Sequence, residues 1–94
     1  MRAVIARFPI NSTVSLAGGA AAEKFNIDLT NRGFTTKPDV ASGCITSDTS
    51  LGWRYDWDDV NNSATQAVIE VYTYDGTNIG AGLRRVSFEF IEYD

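Results

Sequence analysis

Residues 53 to 59 read Trp-Arg-Tyr-Asp-Trp-Asp-Asp, and they carry the clearest signal of secondary structure in the chain. Aromatic residues occupy positions 53, 55 and 57, and charged residues occupy the positions between them. A β-strand points successive side chains to opposite faces, so this spacing puts the three rings on one face and the charges on the other. A helix would scatter the same side chains around its axis. The stretch therefore predicts a β-strand with one aromatic face.

Other segments alternate in the same way. Apolar residues share one face of the predicted strand Lys24–Thr30, which ends in a turn at 31–33. Gln66–Tyr74 has two contrasting faces, namely Ala67, Ile69, Val71 and Thr73 on one and Val68, Glu70, Tyr72 and Tyr74 on the other. The second of these faces is too aromatic for solvent alone, so we expect it to contact a ligand, another chain or both. Asp75-Gly76 then predicts a tight turn.

The remaining segments complete an all-β pattern. The stretch from Leu83 to Tyr93 closes the chain as a strand, and Val40–Ser47 is predicted as a strand with Val40, Cys44 and Ile45 buried. Pro9 makes Val4–Ile10 an edge strand or an extended arm, because proline cannot donate to a sheet ladder. Asn11–Ala22 is either a loop or a short alanine-rich turn of helix, and we favour the loop because no apolar face repeats through it. We predict residues 1–22 to be an N-terminal arm and loop, and residues 23–94 to form a six- to seven-stranded antiparallel β-sandwich.

Composition excludes several classes of function. The chain has 94 residues, one cysteine and no histidine, so it is one domain without an internal disulfide, a Ser-His-Asp triad or a usual zinc site. The net charge of −4 argues against a nucleic-acid partner. No apolar run approaches the roughly 20 residues that span a bilayer, so we expect no membrane insertion. We expect neither enzyme activity nor a cofactor.

Oxygen-rich side chains cluster between Asp56 and Asn62. One interpretation is a calcium site, because hard cations bind several oxygen ligands, although the helix-loop-helix calcium pattern is not met. The alternative, which we favour, is a solvated strand end that leads into an Asn-rich turn. A catalytic pair of carboxylates, as in glycosidases, is a third interpretation, but nothing in the spacing places two of them at a working separation. We therefore predict no metal site and no catalytic residues.

Two further groups of residues have alternative interpretations. The rings of Trp53, Tyr55 and Trp57 suit either a sugar-stacking platform or the core of one sheet. Tyr72 and Tyr74 are better candidates for exposure, because the opposite face of their strand already supplies the core. The basic pair Arg84-Arg85 either binds carboxylates of a partner or faces water, and Cys44 is expected to be a small buried residue.

The C-terminal half resembles the end of a phage tail fibre or tailspike. The resemblance lies in residues 53–79, WRYDWDDVNNSATQAVIEVYTYDGTNI, and in residues 86–93, VSFEFIEY. The layout is also similar to that of the H-type lectins, which are six-stranded β-sandwiches that assemble as trimers. In that family the sugar site often pairs an aromatic residue with a histidine after the penultimate strand. Here Tyr74 is followed by Asp75, so fold and assembly carry over better than sugar specificity.

The resemblance implies a homotrimeric, lectin-like module at the C-terminal end of a phage tail fibre or tailspike. Its expected role is trimerisation and binding of a carbohydrate receptor on the host surface, with a purely structural trimerisation cap, an accessory chain without a ligand and a free-standing lectin as alternatives. Such a chain is made in the host cytoplasm and resides in the virion, where a longer fibre chain is a further expected partner. The candidate ligand-binding residues are Arg54, Trp57, Tyr72, Tyr74 and Asp75.

Overall fold

The computed structural model describes residues 3–48 and 50–93, so Met1, Arg2, Thr49 and Asp94 lie outside the described residues. The elements within those ranges are all strands, which confirms the all-β prediction. They are β1 (Val4–Leu16), β2 (Ala22–Asp28), β3 (Asp39–Ile45), β4 (Leu51–Tyr55), β5 (Gln66–Thr73) and β6 (Gly82–Tyr93). No helix in the described ranges is long and apolar enough to cross a membrane.

The strands form two antiparallel sheets of three strands each. One sheet has the order β1-β6-β3 and the other has the order β2-β5-β4. The central strands β6 and β5 bear the most deeply buried side chains, and β1 contacts β2 while β3 contacts β4 across the layers. Two antiparallel sheets with buried central strands are compatible with a β-sandwich, in which each sheet turns an apolar face inward and a polar face outward.

The core lies between the inward faces of β5 and β6. Val86, Phe88 and Phe90 are at most 2% exposed on β6, and Ile69 and Val71 are fully buried on β5. The predicted alternation in these two strands is therefore confirmed. Trp53 of β4 meets the Phe88 ring edge-on at 4.8 Å between centroids, which places this ring in the core.

Strand β1 runs farther than the sequence indicates. The prediction of a loop from Asn11 onward is wrong over residues 11–16, which continue β1 and pair with β6. Ile10, Val14 and Leu16 of this strand are buried in the core. The inward alternation is interrupted by Ser12, and small polar residues fill the outward positions, so the apolar face was not recognised. Strand β1 is an edge strand, as Pro9 predicts.

Two side chains lie on faces other than the predicted ones. The prediction that Cys44 is buried is wrong, because a register shift between Val40 and Ser42 turns Gly43 and Ile45 inward and leaves Cys44 exposed. Strand β4 ends at Tyr55, so Trp57 lies beyond it and is 43% exposed. The aromatic alternation therefore predicts the strand, and of its two interpretations the core applies to Trp53 and Tyr55 but not to Trp57, which lies beyond the strand end.

Candidate functional site

The outward face of the β2-β5-β4 sheet is divided into a covered end and a bare end. At the covered end, the segment 56–65 folds back over β5, where Asn62 Oδ1 accepts a hydrogen bond from Val68 N at 2.7 Å. Val68 is only 2% exposed although it points away from the core. Asn62 Nδ2 also donates to Asp56 O, which holds the segment in place. The segment therefore covers the outward face of β5 at Val68.

Carboxylates at the covered end have partners within the chain. Lys24 Nζ lies 2.7 Å from Asp56 Oδ2 and 3.2 Å from Asp59 Oδ2. The Asn61 N–H donates to Asp59 at 2.8 Å, and this bond together with Lys24 holds the pKa of the Asp59 carboxyl below its ordinary value. The described residues contain no group of three or more His, Cys, Asp or Glu side chains placed to hold a metal ion. Backbone hydrogen bonds from Asp59 N to Asp56 O and from Asn62 N to Asp59 O, each 3.1 Å long, fold the 56–62 segment into turns.

The bare end carries the feature that we call the tyrosine surface, which consists of Arg54, Glu70, Tyr72 and Tyr74. Arg54 Nη2 lies 2.5 Å from Glu70 Oε1, and this ion pair and Tyr72 line an open depression of about 370 Å³. The Tyr74 ring stands edge-on to the Tyr72 ring at 5.8 Å between centroids. Tyr74 is 73% exposed, so its ring is available to a ligand.

Strand geometry fixes the tyrosine surface. Tyr72 on β5 pairs with Gly52 on β4, and the Tyr72 ring lies over that glycine: a Cβ atom at position 52 would be 2.5 Å from Tyr72 Cε2. Glycine here lets the ring lie flat on the sheet, and the next pair along the same face is Arg54 with Glu70. The surface is thus built on paired strands and needs little ordering to bind a ligand.

Asp75 belongs to the turn that follows Tyr74. Its Oδ1 accepts hydrogen bonds from the Thr77 hydroxyl at 2.7 Å and from the Thr77 N–H at 3.1 Å. These two bonds hold the pKa of the Asp75 carboxyl below its ordinary value, and the bond from the Thr77 hydroxyl has the larger effect. Gly76 adopts φ = +78°, as the predicted tight turn requires. Asp75 therefore shapes the turn beside the tyrosine surface, and its carboxylate is partly engaged there.

Trp57 lies away from the other candidate ligand-binding residues. Strand β4 starts opposite Thr73 and ends opposite Ile69, so Trp57 and Tyr74 lie beyond opposite ends of β4. Lys37 Nζ sits 3.8 Å from the centroid of the Trp57 ring and donates to Trp57 O at 2.8 Å. The structure thus brings Arg54, Tyr72, Tyr74 and Asp75 to one end of the sheet, and leaves Trp57 at the other.

Glu92 is a buried carboxylate near Trp57 that the sequence pattern does not reveal. It is 2% exposed, and it continues the inward face of β6 past Phe90. The hydroxyls of Thr35 and Thr36 each donate to Oε2 at 2.7 Å, and both backbone N–H groups also donate to the carboxylate. These bonds, led by the Thr35 hydroxyl, lower the pKa of Glu92 to about 2. They fasten the loop after β2 to the last strand.

Glu92 gives stability a specific pH dependence. Its pKa is lower in the folded chain than the ordinary 4.5, so the unfolded state takes up the proton first as the pH falls. We expect the stabilisation to be complete above pH 4.5 and to be lost progressively toward pH about 2. We expect Glu92→Gln to have a lower free energy of unfolding than the wild type at neutral pH. Urea unfolding across this pH window should then show a smaller decrease in that free energy for the variant than for the wild type. In the control Glu89→Gln, the free energy of unfolding should fall with decreasing pH as steeply as in the wild type. Equal pH dependence in all three proteins would contradict this role of Glu92.

The basic pair Arg84-Arg85 splits between the two faces of β6. Arg84 points inward, where its Nε donates to Asp48 Oδ2 at 3.0 Å and its Nη2 donates to Gly80 O at 2.9 Å. Arg85 points outward and is exposed. Arg84 thus joins two loops of its own chain. Of the pair, only Arg85 faces water, which was one of the two interpretations of these arginines.

The sequence pattern points to Arg54 and both tyrosines but not to Glu70, which completes the tyrosine surface. The signal was present, because Glu70 lies on the aromatic face of β5, two residues before Tyr72. Its pairing with Arg54 depends on the register of β4 against β5, which one sequence does not give. Comparison with protein-family models, curated proteins and solved structures finds no match to this chain.

Proposed function

We propose that this chain is a carbohydrate-binding module that trimerises at the end of a phage tail fibre or tailspike, and that the tyrosine surface is its sugar site. The observation that carries the proposal is the exposed Tyr74 ring, set edge-on to Tyr72 beside the Arg54–Glu70 ion pair. Tyr74 is not part of the hydrophobic core cluster, so core packing does not explain its ring.

The chemistry of the tyrosine surface suits a pyranose ring. The flat rings of Tyr72 and Tyr74 offer apolar area to the C–H face of a sugar, and their hydroxyls remain available for hydrogen bonds. Arg54 supplies N–H donors and Glu70 supplies carboxylate acceptors, so together they match sugar hydroxyls, which both donate and accept. A purely apolar ligand would remove water from the charged groups of Arg54 and Glu70 without replacing its hydrogen bonds, which costs free energy.

The volume of the depression indicates how much of a ligand it can hold. Its volume of about 370 Å³ lies near the lower end of the range for small-molecule sites, roughly 300–1,000 Å³. One or two sugar units fill such a space. We therefore expect recognition of a terminal mono- or disaccharide on a host glycan, with further units of the glycan in solvent.

A glycan array probed with the wild-type chain tests the proposal. We expect selective, saturable binding to glycans that share one terminal sugar, and no binding to glycans without it. Uniform background across a diverse array would contradict the sugar site. It would favour the second candidate function, a structural trimerisation cap.

The cap alternative is supported by apolar side chains that a single chain leaves in solvent. Leu83 is 70% exposed, and Val4 and Ile5 are each more than half exposed on the edge strand β1. Burying apolar area contributes roughly 25 cal/mol per Å², so sister chains would stabilise this small sandwich. In the cap, Tyr74 lies between protomers, and Tyr74→Ala weakens the trimer in sedimentation velocity. In the sugar-binding module, the same variant loses glycan binding and keeps the wild-type sedimentation coefficient.

A further inference from the structure

The outward face of the other sheet carries a second polar depression. Its volume is about 260 Å³, and it lies on strands β1 and β6 at the point where β3 ends. We call it the Arg85 depression, and its lining residues are Asn11, Ser12, Thr13, Thr46, Arg85, Val86 and Ser87. Because it lies on the β1-β6-β3 sheet, it is separated from the tyrosine surface by the whole core.

Arg85 stands apart from the other cations of residues 3–48 and 50–93. Each of the other arginines and lysines in those ranges contacts a carboxylate, a backbone carbonyl or an aromatic ring through its charged group. Among the described residues, no carboxylate, backbone carbonyl or aromatic ring makes such a contact with the guanidinium of Arg85. An arginine in this state keeps its N–H donors free for a ligand.

The backbone of Arg85 is held on both sides. Thr13 of β1 is its ladder partner. On the other side, the Thr46 N–H donates to Arg85 O at 2.8 Å, and the Arg85 N–H donates to Ser47 Oγ at 2.8 Å. The stem of the arginine therefore starts from a fixed point on a central strand, which lowers the ordering cost of binding.

Hydrogen-bond donors surround this arginine, and none of the described residues that line the depression is a carboxylate. Ser87 Oγ donates to Asn11 Oδ1 at 2.7 Å, which occupies the amide oxygen and leaves the amide N–H groups of Asn11 for a ligand. The hydroxyl of Thr13 lies on the same outward face, directly opposite Arg85. The nearest acidic residue along this face of β6 is Glu89, which pairs with Arg7 at 3.3 Å.

From this geometry we propose that the Arg85 depression binds an oxyanion, namely the carboxylate or phosphate group of a hydroxylated ligand. The guanidinium fork matches two oxygens of such a group in parallel, and charge-assisted hydrogen bonds of this kind are the strong ones. The amide and hydroxyl groups around the fork suit the hydroxyls of an acidic sugar. The site is a second one, independent of the proposed sugar site in position and in chemistry.

Nitrogen-15 NMR titration of the wild-type chain with sodium glucuronate, glucose and inorganic phosphate tests the proposal. We expect saturable shifts at Asn11, Thr13, Thr46 and Arg85 with glucuronate or phosphate, and none with glucose. Response to glucuronate alone identifies an acidic sugar, and response to phosphate identifies a phosphate-bearing ligand. Absence of saturable shifts with both anions overturns the proposal, as do shifts spread over all the cations.

Two matched variants distinguish anion binding in the Arg85 depression from a general effect of the protein's charge on anion binding. Arg85→Gln and Arg32→Gln remove the same charge, and Arg32 lies over the Phe8 ring, not in the depression. We expect Arg85→Gln to weaken anion binding about tenfold or more, and Arg32→Gln to change it less than about twofold. Equal losses in the two variants overturn the proposal. Tyr74→Ala should bind the anion as the wild type does, so failure of the sugar site and failure of this site remain distinguishable.

Discussion

Replacing Gly43 by alanine is expected to destabilise the protein by about 3 kcal/mol or more, at the upper end of the range for overpacked cores. A Cβ atom at this position would be 2.1 Å from Phe88 Cδ1 and 3.0 Å from Trp53 Cζ2. Phe88 is 1% exposed and touches the rings of Trp53, Phe25 and Phe90, so it has no space into which to move. The two sheets would have to separate locally to admit one methyl group.

Urea unfolding of Gly43→Ala measures this loss, and Gly80→Ala is its control. The nearest atom to a Cβ at position 80 is Arg84 Nη2 at 3.9 Å, so that substitution meets open space. We expect Gly80→Ala to stay within about 1 kcal/mol of the wild type. Similar stability of the two variants would show that Phe88 and Trp53 do not pack on Gly43 as described. Each kcal/mol should lower Tm by roughly 4–8 °C in a chain of this size.

Replacing Tyr74 by alanine is expected to weaken glycan binding by about tenfold or more, as truncation of an aromatic hot spot does. The variant removes the ring that is 73% exposed and leaves Tyr72, Arg54 and Glu70 in place. Because the ring has little contact with the core, the free energy of unfolding should change by less than about 0.5 kcal/mol. Surface-immobilised glycan from the array gives the affinity, and urea unfolding gives the stability.

Two control variants make the Tyr74 result specific. Leu83→Ala removes an apolar side chain that is 70% exposed on the opposite sheet, so glycan affinity should not change. Trp57→Ala removes a ring beyond the opposite end of β4, and we expect it to leave binding intact although the sequence suggested Trp57 as a ligand residue. Loss of glycan binding in Trp57→Ala with retention in Tyr74→Ala would move the sugar site to the Lys37–Trp57 end.

The period-2 alternation of the sequence predicted the class of the fold and much of the core. It placed Phe88, Phe90 and Ile69 inward because each lies in a run of regular alternation. It failed in β1, where Ser12 interrupts the apolar face, and at Cys44, where a register shift changes the face that each residue occupies. Local patterns report which side of a strand a residue takes only while the strand stays regular.

The candidate site was only partly predictable for a related reason. Tyr72 and Tyr74 stood out because they lie on the less apolar face of a strand that already supplies the core. Glu70 pairs with Arg54, and the Tyr72 ring covers Gly52, through contacts between strands whose register the sequence does not specify. Glu92 was missed because its partners, Thr35 and Thr36, lie more than 50 positions away in a loop. Long-range contacts of this kind require the folded structure.

The most direct test of the sugar site is nitrogen-15 NMR of the wild-type chain during titration with the glycans that bind best on the array. Binding at the tyrosine surface should give the largest saturable shifts at the backbone amides of residues 72–75 and at Arg54 Nε. Shifts confined to the region of Lys37 and Trp57, or no saturable shift with any glycan, would contradict the assignment of this surface as a carbohydrate site.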